Sequence, residues 1–196
     1  HDVRREAGRD LESVGAAWGD TPRETAVRSD VLLAALPSPD VAEAVVLGDE
    51  GIFAGLAPGA TFIDTGTNPP ALMRRIAELG QEQGICVLDA PVSGGVVGAR
   101  DATLTIFIGG DEEELARVRP VLETIGKKIV YMGAAGSGNS IKLINNLMLF
   151  VNYVGACEGL AMGMRAGIEP QRLLDLIASS MGQSRIFEHA LAAFLD

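Results

Sequence analysis

The spacing of apolar residues changes character partway along the chain. In the first part, short uninterrupted apolar runs recur: Val31 to Leu36, Thr61 to Asp64, Ile85 to Asp89, Leu104 to Ile108 and Ile129 to Met132. Runs this short, apolar at consecutive positions, predict strands buried on both faces, as in a parallel sheet. Helical patterns lie between them. Arg4 to Val14 places apolar residues at helical spacing. Thr21-Pro22 reads as an N-cap followed by a proline at the first helical position. Pro70 to Gln83 is amphipathic and stops at Gly84. Asp111 caps an acidic first turn, Glu112 to Glu114, and Pro120 is expected to split that segment into two short helices. Such alternation predicts an α/β, doubly wound sheet.

After Gly138 the punctuation stops. Ser140 to Arg165 contains no proline and reads as one long helix, apolar on most faces and expected to be buried between two bodies. Ile168-Glu169-Pro170 ends it, and Gln171 to Ser180 and Ser184 to Leu195 read as two further helices. The expected division is therefore an α/β domain over 1–136 and, over 137–196, the long interdomain helix with the start of an all-α domain.

Composition narrows the function classes. With 47% apolar and 21% charged residues the chain has a globular balance. Its formal charge of −10 comes with no basic stripe, which argues against nucleic acid as a partner. Cys86 and Cys157 sit in apolar runs and read as buried thiols of a reducing compartment. His1 and His189 are the only histidines, and no zinc spacing exists. The most apolar stretch, Ile141 to Val154, is interrupted by Lys142, Asn145, Asn146 and Asn152, which argues against a membrane span. No secretion signal is visible, so a cytoplasmic location is expected.

Two segments could carry chemistry. Asp89-Ala90-Pro91-Val92-Ser93-Gly94-Gly95 follows a strand with a hydroxyl and backbone N–H groups that no side chain shields, a cradle for a carboxylate. Alone, the Ser-Gly-Gly step reads first as a plain glycine turn, since turns commonly use these residues. Gly136-Ser137-Gly138 then reads as a flexible entry to the long helix, where Lys142 and Asn146 stand four apart on one face. A lysine in an apolar interface loses proton affinity and becomes a usable base. A lysine snorkelling at the helix start would look the same.

Together, and in this order, these segments resemble the β-hydroxyacid dehydrogenase family, which includes 3-hydroxyisobutyrate dehydrogenase and tartronate semialdehyde reductase. The likeness extends over essentially the whole chain. The pattern DAPVSGG…GA…TL is similar to that family's substrate-binding signature, and G-x-G-x-x-x-K-x-x-N-N to its catalytic one. The resemblance implies an NAD(P)-dependent oxidoreductase of small β-hydroxy acids with a Rossmann-type fold. Lys142 would be catalytic. Ser93, Gly94, Gly95 and Asn146 would bind substrate. Leu36 and Pro37 would lie along the cofactor, and Thr67 near the nicotinamide ribose. Asp2 matches an acidic residue at the end of a second Rossmann strand, where it would hold the ribose hydroxyls and favour NAD. Arg4 and Arg5 keep NADP open. A homo-oligomer is expected by analogy.

The sequence departs from the pattern at Gly66, where many members have serine, at Asn68-Pro69, and at Ala102, where glycine is usual. It also contains no G-x-G-x-x-G loop. In the family that loop would precede His1, so the chain is expected to be a fragment cut at both ends. Two alternatives stay open: a 6-phosphogluconate dehydrogenase relative, though such enzymes usually carry His-Asn where this chain has Asn145-Asn146, and a non-catalytic nucleotide-binding scaffold.

Overall fold

A computed structural model describes residues 1–187. The chain divides into two compact units, the first His1–Lys142 and the second from Leu143 onward.

In the first unit six strands form one sheet. They are β1 (Val31–Ala34), β2 (Thr61–Asp64), β3 (Cys86–Asp89), β4 (Val92–Ser93), β5 (Leu104–Gly109) and β6 (Gly126–Gly133). Their order is β1-β2-β3-β5-β4, with β6 also paired to β5. The strands β1, β2 and β3 are parallel and in simple register, so that Ala34 pairs with Asp64 and Asp64 with Asp89. The sheet then departs from the all-parallel expectation: β5 runs antiparallel to β3 and β4, while β6 is parallel to β5. Strand β4 is only two residues long, too short for a periodicity to show. Among the described residues β1 pairs only with β2, so its other edge is open.

Alternation along the buried strands explains the layers. Phe62 and Val87 face one core with Leu32, Val46, Met73 and Ile76. Their neighbours Ile63 and Leu88 face the other, with Ile106, Ile108, Leu115 and Val118. Side chains that point to opposite sides at successive positions need a cover on each face. Helices supply it: α3 (Pro39–Leu47) and α4 (Pro70–Glu82) bury residues in the first core, and α6 (Glu112–Leu122) in the second.

Several helix boundaries follow the sequence closely. In α2 (Pro22–Val27) the Thr21 hydroxyl accepts from Glu24 N at 3.0 Å. Helix α4 ends before Gly84, which takes the left-handed φ of +73°. The 3-10 turn Arg5–Gly8 and α1 (Arg9–Ser13) replace the single helix expected from Arg4 to Val14. Helix α6 is not broken at Pro120. The proline stands two residues from its end, where one forfeited hydrogen bond matters little, and Val118 and Leu122 stay buried. Helix α3 has no counterpart in the apolar pattern, although Ser38-Pro39 repeats the Thr21-Pro22 signature and the Ser38 hydroxyl accepts from Val41 N.

Helix α7 (Ser137–Arg165) is continuous over 29 residues and begins three residues before its expected start. The expectation of burial is not met. Leu143, Ile144, Leu147, Met148, Phe150 and Val151 are exposed, and no described element of this chain covers them. By length and mean hydropathy alone, 1.4, α7 could cross a membrane. In the second unit, α8 (Pro170–Ala178) is capped by the Glu169 carboxylate, and Leu173 and Leu174 pack with Leu160 and Phe187. The helix expected from Ser184 to Leu195 is seen as far as residue 187, and the rest lies outside the described residues. Both cysteines are free and partly buried.

Candidate active site

Parallel strands in register bring their carboxyl ends to one edge of the sheet. In open α/β sheets that edge is where ligands bind. The three loops leaving β1, β2 and β3 carry most of the residues singled out from the sequence. Leu36 and Pro37 follow β1, Thr67 follows β2, and Ser93 to Gly95 follow β3. Helix α7, with Lys142 in its second turn, also begins here, because its start is bonded to the end of β3.

That attachment is made by a carboxylate. Asp89 closes β3 and is fully buried; its Oδ1 accepts from Gly136 N and its Oδ2 from Asn139 N, each at 2.7 Å. The first N–H groups of any helix lack partners inside the helix. Here a side chain 47 residues earlier meets them, and a negative group suits the positive helix end. Burial pushes the Asp89 carboxyl above the usual range, and the N–H donors from Asn139 and Gly136 pull it back.

A second carboxylate stands beside it. Asp64 ends β2 and is the register partner of Asp89. It accepts from Gly66 N and from the Asn68 amide, each at 2.7 Å. Burial raises its pKa too, against the pull of those two donors. Asn68 in turn donates its backbone N–H to Asn139 Oδ1 at 2.7 Å. The four residues are at most 2% exposed and form one continuous chain.

The glycines of α7's entry therefore do something other than confer flexibility. A Cβ at Gly138 would run into the carbonyl oxygens of Phe107 and Asp89, and one at Gly136 would lie 2.8 Å from Pro70 O. The entry is packed tight against strand ends.

Ser93 ends β4 and is partly buried, while Gly94 and Gly95 are exposed and sharply turned. Gly94 and Gly95 take φ of +139° and +62°, which a side chain would resist, and the short helix α5 (Gly95–Arg100) follows. Lys142 is half-buried, and burial lowers its pKa below the usual lysine value. Asn146 lies one turn further along α7, partly buried, in the second unit.

Asp2 belongs to another group. With Leu36 and Pro37 it lines a mainly apolar cavity of about 380 Å³ against β1. Its Oδ1 accepts from Arg4 N at 2.8 Å. Asp2 is the one carboxylate among the residues that line the cavity, and Arg4 Nε lies 3.7 Å from its Oδ1.

Asp64, Asn68, Asp89 and Asn139 had no assigned role in the sequence reading. A signal existed: two of the apolar runs end in aspartate, and a carboxylate at the end of a buried strand must find donors.

The fold and its strand-end loops define a dinucleotide-binding α/β protein. Comparison with known proteins agrees. Residues 1–133 match the family described as the NAD binding domain of 6-phosphogluconate dehydrogenase. Residues 136–196 match that described as "NAD-binding of NADP-dependent 3-hydroxyisobutyrate dehydrogenase". The chain belongs to the β-hydroxyacid dehydrogenase family. It is 37% identical over 181 residues to a 3-hydroxyisobutyrate dehydrogenase of Pseudomonas aeruginosa, covering 92% of this chain and 61% of that protein. It is 33% identical over 181 residues to 2-(hydroxymethyl)glutarate dehydrogenase of Eubacterium barkeri, covering 92% and 60%. The solved structure of Mycobacterium tuberculosis 3-hydroxyisobutyrate dehydrogenase with L-serine superposes with a TM-score of 0.86 at 34% identity, covering 94% of this chain and 62% of that one. The chain thus spans about three-fifths of the length of these relatives.

Proposed function

We propose that this chain carries the cofactor-facing and proton-transferring parts of an NAD(P)-dependent dehydrogenase of small β-hydroxy acids, of the 3-hydroxyisobutyrate or 2-hydroxy-3-oxopropionate type. The single observation behind this reading is the half-buried Lys142, lowered in proton affinity and three residues after Asn139, whose backbone N–H is bonded to Asp89 at the end of β3. When bound, the nicotinamide supplies the hydride acceptor or donor. In oxidation, Lys142 takes the proton from the substrate hydroxyl; in reduction, it returns that proton to the developing alkoxide. Burial alone favours the neutral amine that the oxidative direction needs. Ser93 and the backbone of Gly94 and Gly95 hold the substrate carboxylate. Asn146, one turn beyond the lysine, contacts the substrate hydroxyl. Asp2, Leu36, Pro37 and Thr67 line the cofactor, with NAD favoured because Asp2 repels a ribose phosphate.

The test is Lys142→Ala in the native polypeptide, with a panel of hydroxy acids and both cofactors. Turnover is expected to fall about 10²–10⁴-fold, the range of a general acid or base, while cofactor affinity stays unchanged. Near-normal turnover would refute the assignment. The match of residues 1–133 to a 6-phosphogluconate dehydrogenase domain favours a second reading, so phosphorylated sugar acids belong in the panel. Preference for them would transfer the reaction to that substrate class.

A further inference from the structure

The chain Asp64–Asn68–Asn139–Asp89 is expensive to build. Two carboxylates and two amides are removed from water, and burial works against both charges. Apolar residues of similar volume would often stabilise such a site as well or better. What the polar chain provides is directed geometry. Asn139 is its crossing point: it receives the Asn68 N–H on Oδ1 and sends its own backbone N–H to Asp89. Its side-chain amide also reaches Asp89 Oδ2, at 3.4 Å. Asn139 is three residues before Lys142, so the two share a face of α7. Asn68 adjoins Thr67 on the loop leaving β2.

We propose that Asn139 and Asn68, anchored on Asp89 and Asp64, are positioning residues that fasten the loop bearing Thr67 to the first turn of α7 and so fix where Lys142 stands. This rests on the reading of Lys142 given above. The lysine needs placement to within a fraction of an ångström of the hydroxyl it serves, and misplacement by about 1 Å costs on the order of 10²-fold.

The experiment uses Asn139→Ala in the native polypeptide, with turnover expressed per NADH-binding site so that unfolded material does not count. The turnover number is expected to fall about 10- to 100-fold with KM for the hydroxy acid changed less than about threefold. In a Lys142→Ala background the same substitution is expected to lower the residual rate by less than about twofold, since Asn139 acts only through the lysine. Asn68→Ala cuts the chain from the loop side and carries the same two expectations. Native turnover per site in these variants overturns the inference, as does a full additional loss in the Lys142→Ala background. If instead Lys142→Ala itself keeps its turnover, the reading of the lysine fails first. A collapsed Lys142→Ala beside an unaffected Asn139→Ala sinks the positioning role alone.

Discussion

At the scale of single residues, the sequence showed types and spacings but not environments. Lys142 stands out in the sequence as the single cation in the apolar stretch from Ile141 to Val154. The aspartates that end β2 and β3 were legible as strand ends and silent about their partners, which lie up to 50 residues away. Ala102, noted where glycine is usual, takes a φ of +52°, so the local turn kept its left-handed geometry despite the departure. Burial of Lys142 has a consequence for stability as well as chemistry. Its pKa is lower folded than unfolded, so between the two values the unfolded chain binds more protons and stability rises with pH. Lys142→Met is therefore expected to melt higher than the parent at neutral pH. The gap should close as pH rises into the usual lysine range. Calorimetry across that range checks the sign, and a gap that widens with pH would contradict it. The margin should be small, since the group keeps much of its solvent contact.

At the scale of elements, helices with local caps were readable and those without were not. Thr21, Asp111 and Gly84 each act within a few residues of the boundary they set. The start of α7 was read as Ser140 because its cap, Asp89, is remote in sequence. The glycine entry was misread as flexible for the same reason, since the atoms that crowd Gly138 belong to β3 and β5. Gly138→Ala tests this. Backbone oxygens cannot swing aside, so the helix start must shift, at a cost of about 2 kcal/mol, as overpacking typically does. A urea midpoint measures the loss, and turnover should fall with it. A variant with the parent's midpoint would mean that the entry has slack after all.

At the scale of the molecule, the alternating pattern correctly indicated a two-faced sheet flanked by helices. The reversal of β5 and β6 was invisible, because the composition of a short apolar run is the same whichever way the strand is directed. The open side of β1 has a bearing on how the 196-residue chain behaves in solution. A row of unpaired backbone donors and acceptors is a template for another strand, and Leu33, 36% exposed, does nothing to repel one. Concentrated solutions of this chain should accumulate β-paired oligomers on standing, visible in light scattering and slowed by a charge at the edge, as in Leu33→Lys. If the two proteins scatter alike at every concentration, the edge is inert. Otherwise the shelf life of the isolated chain is set by β1 rather than by the melting of its core.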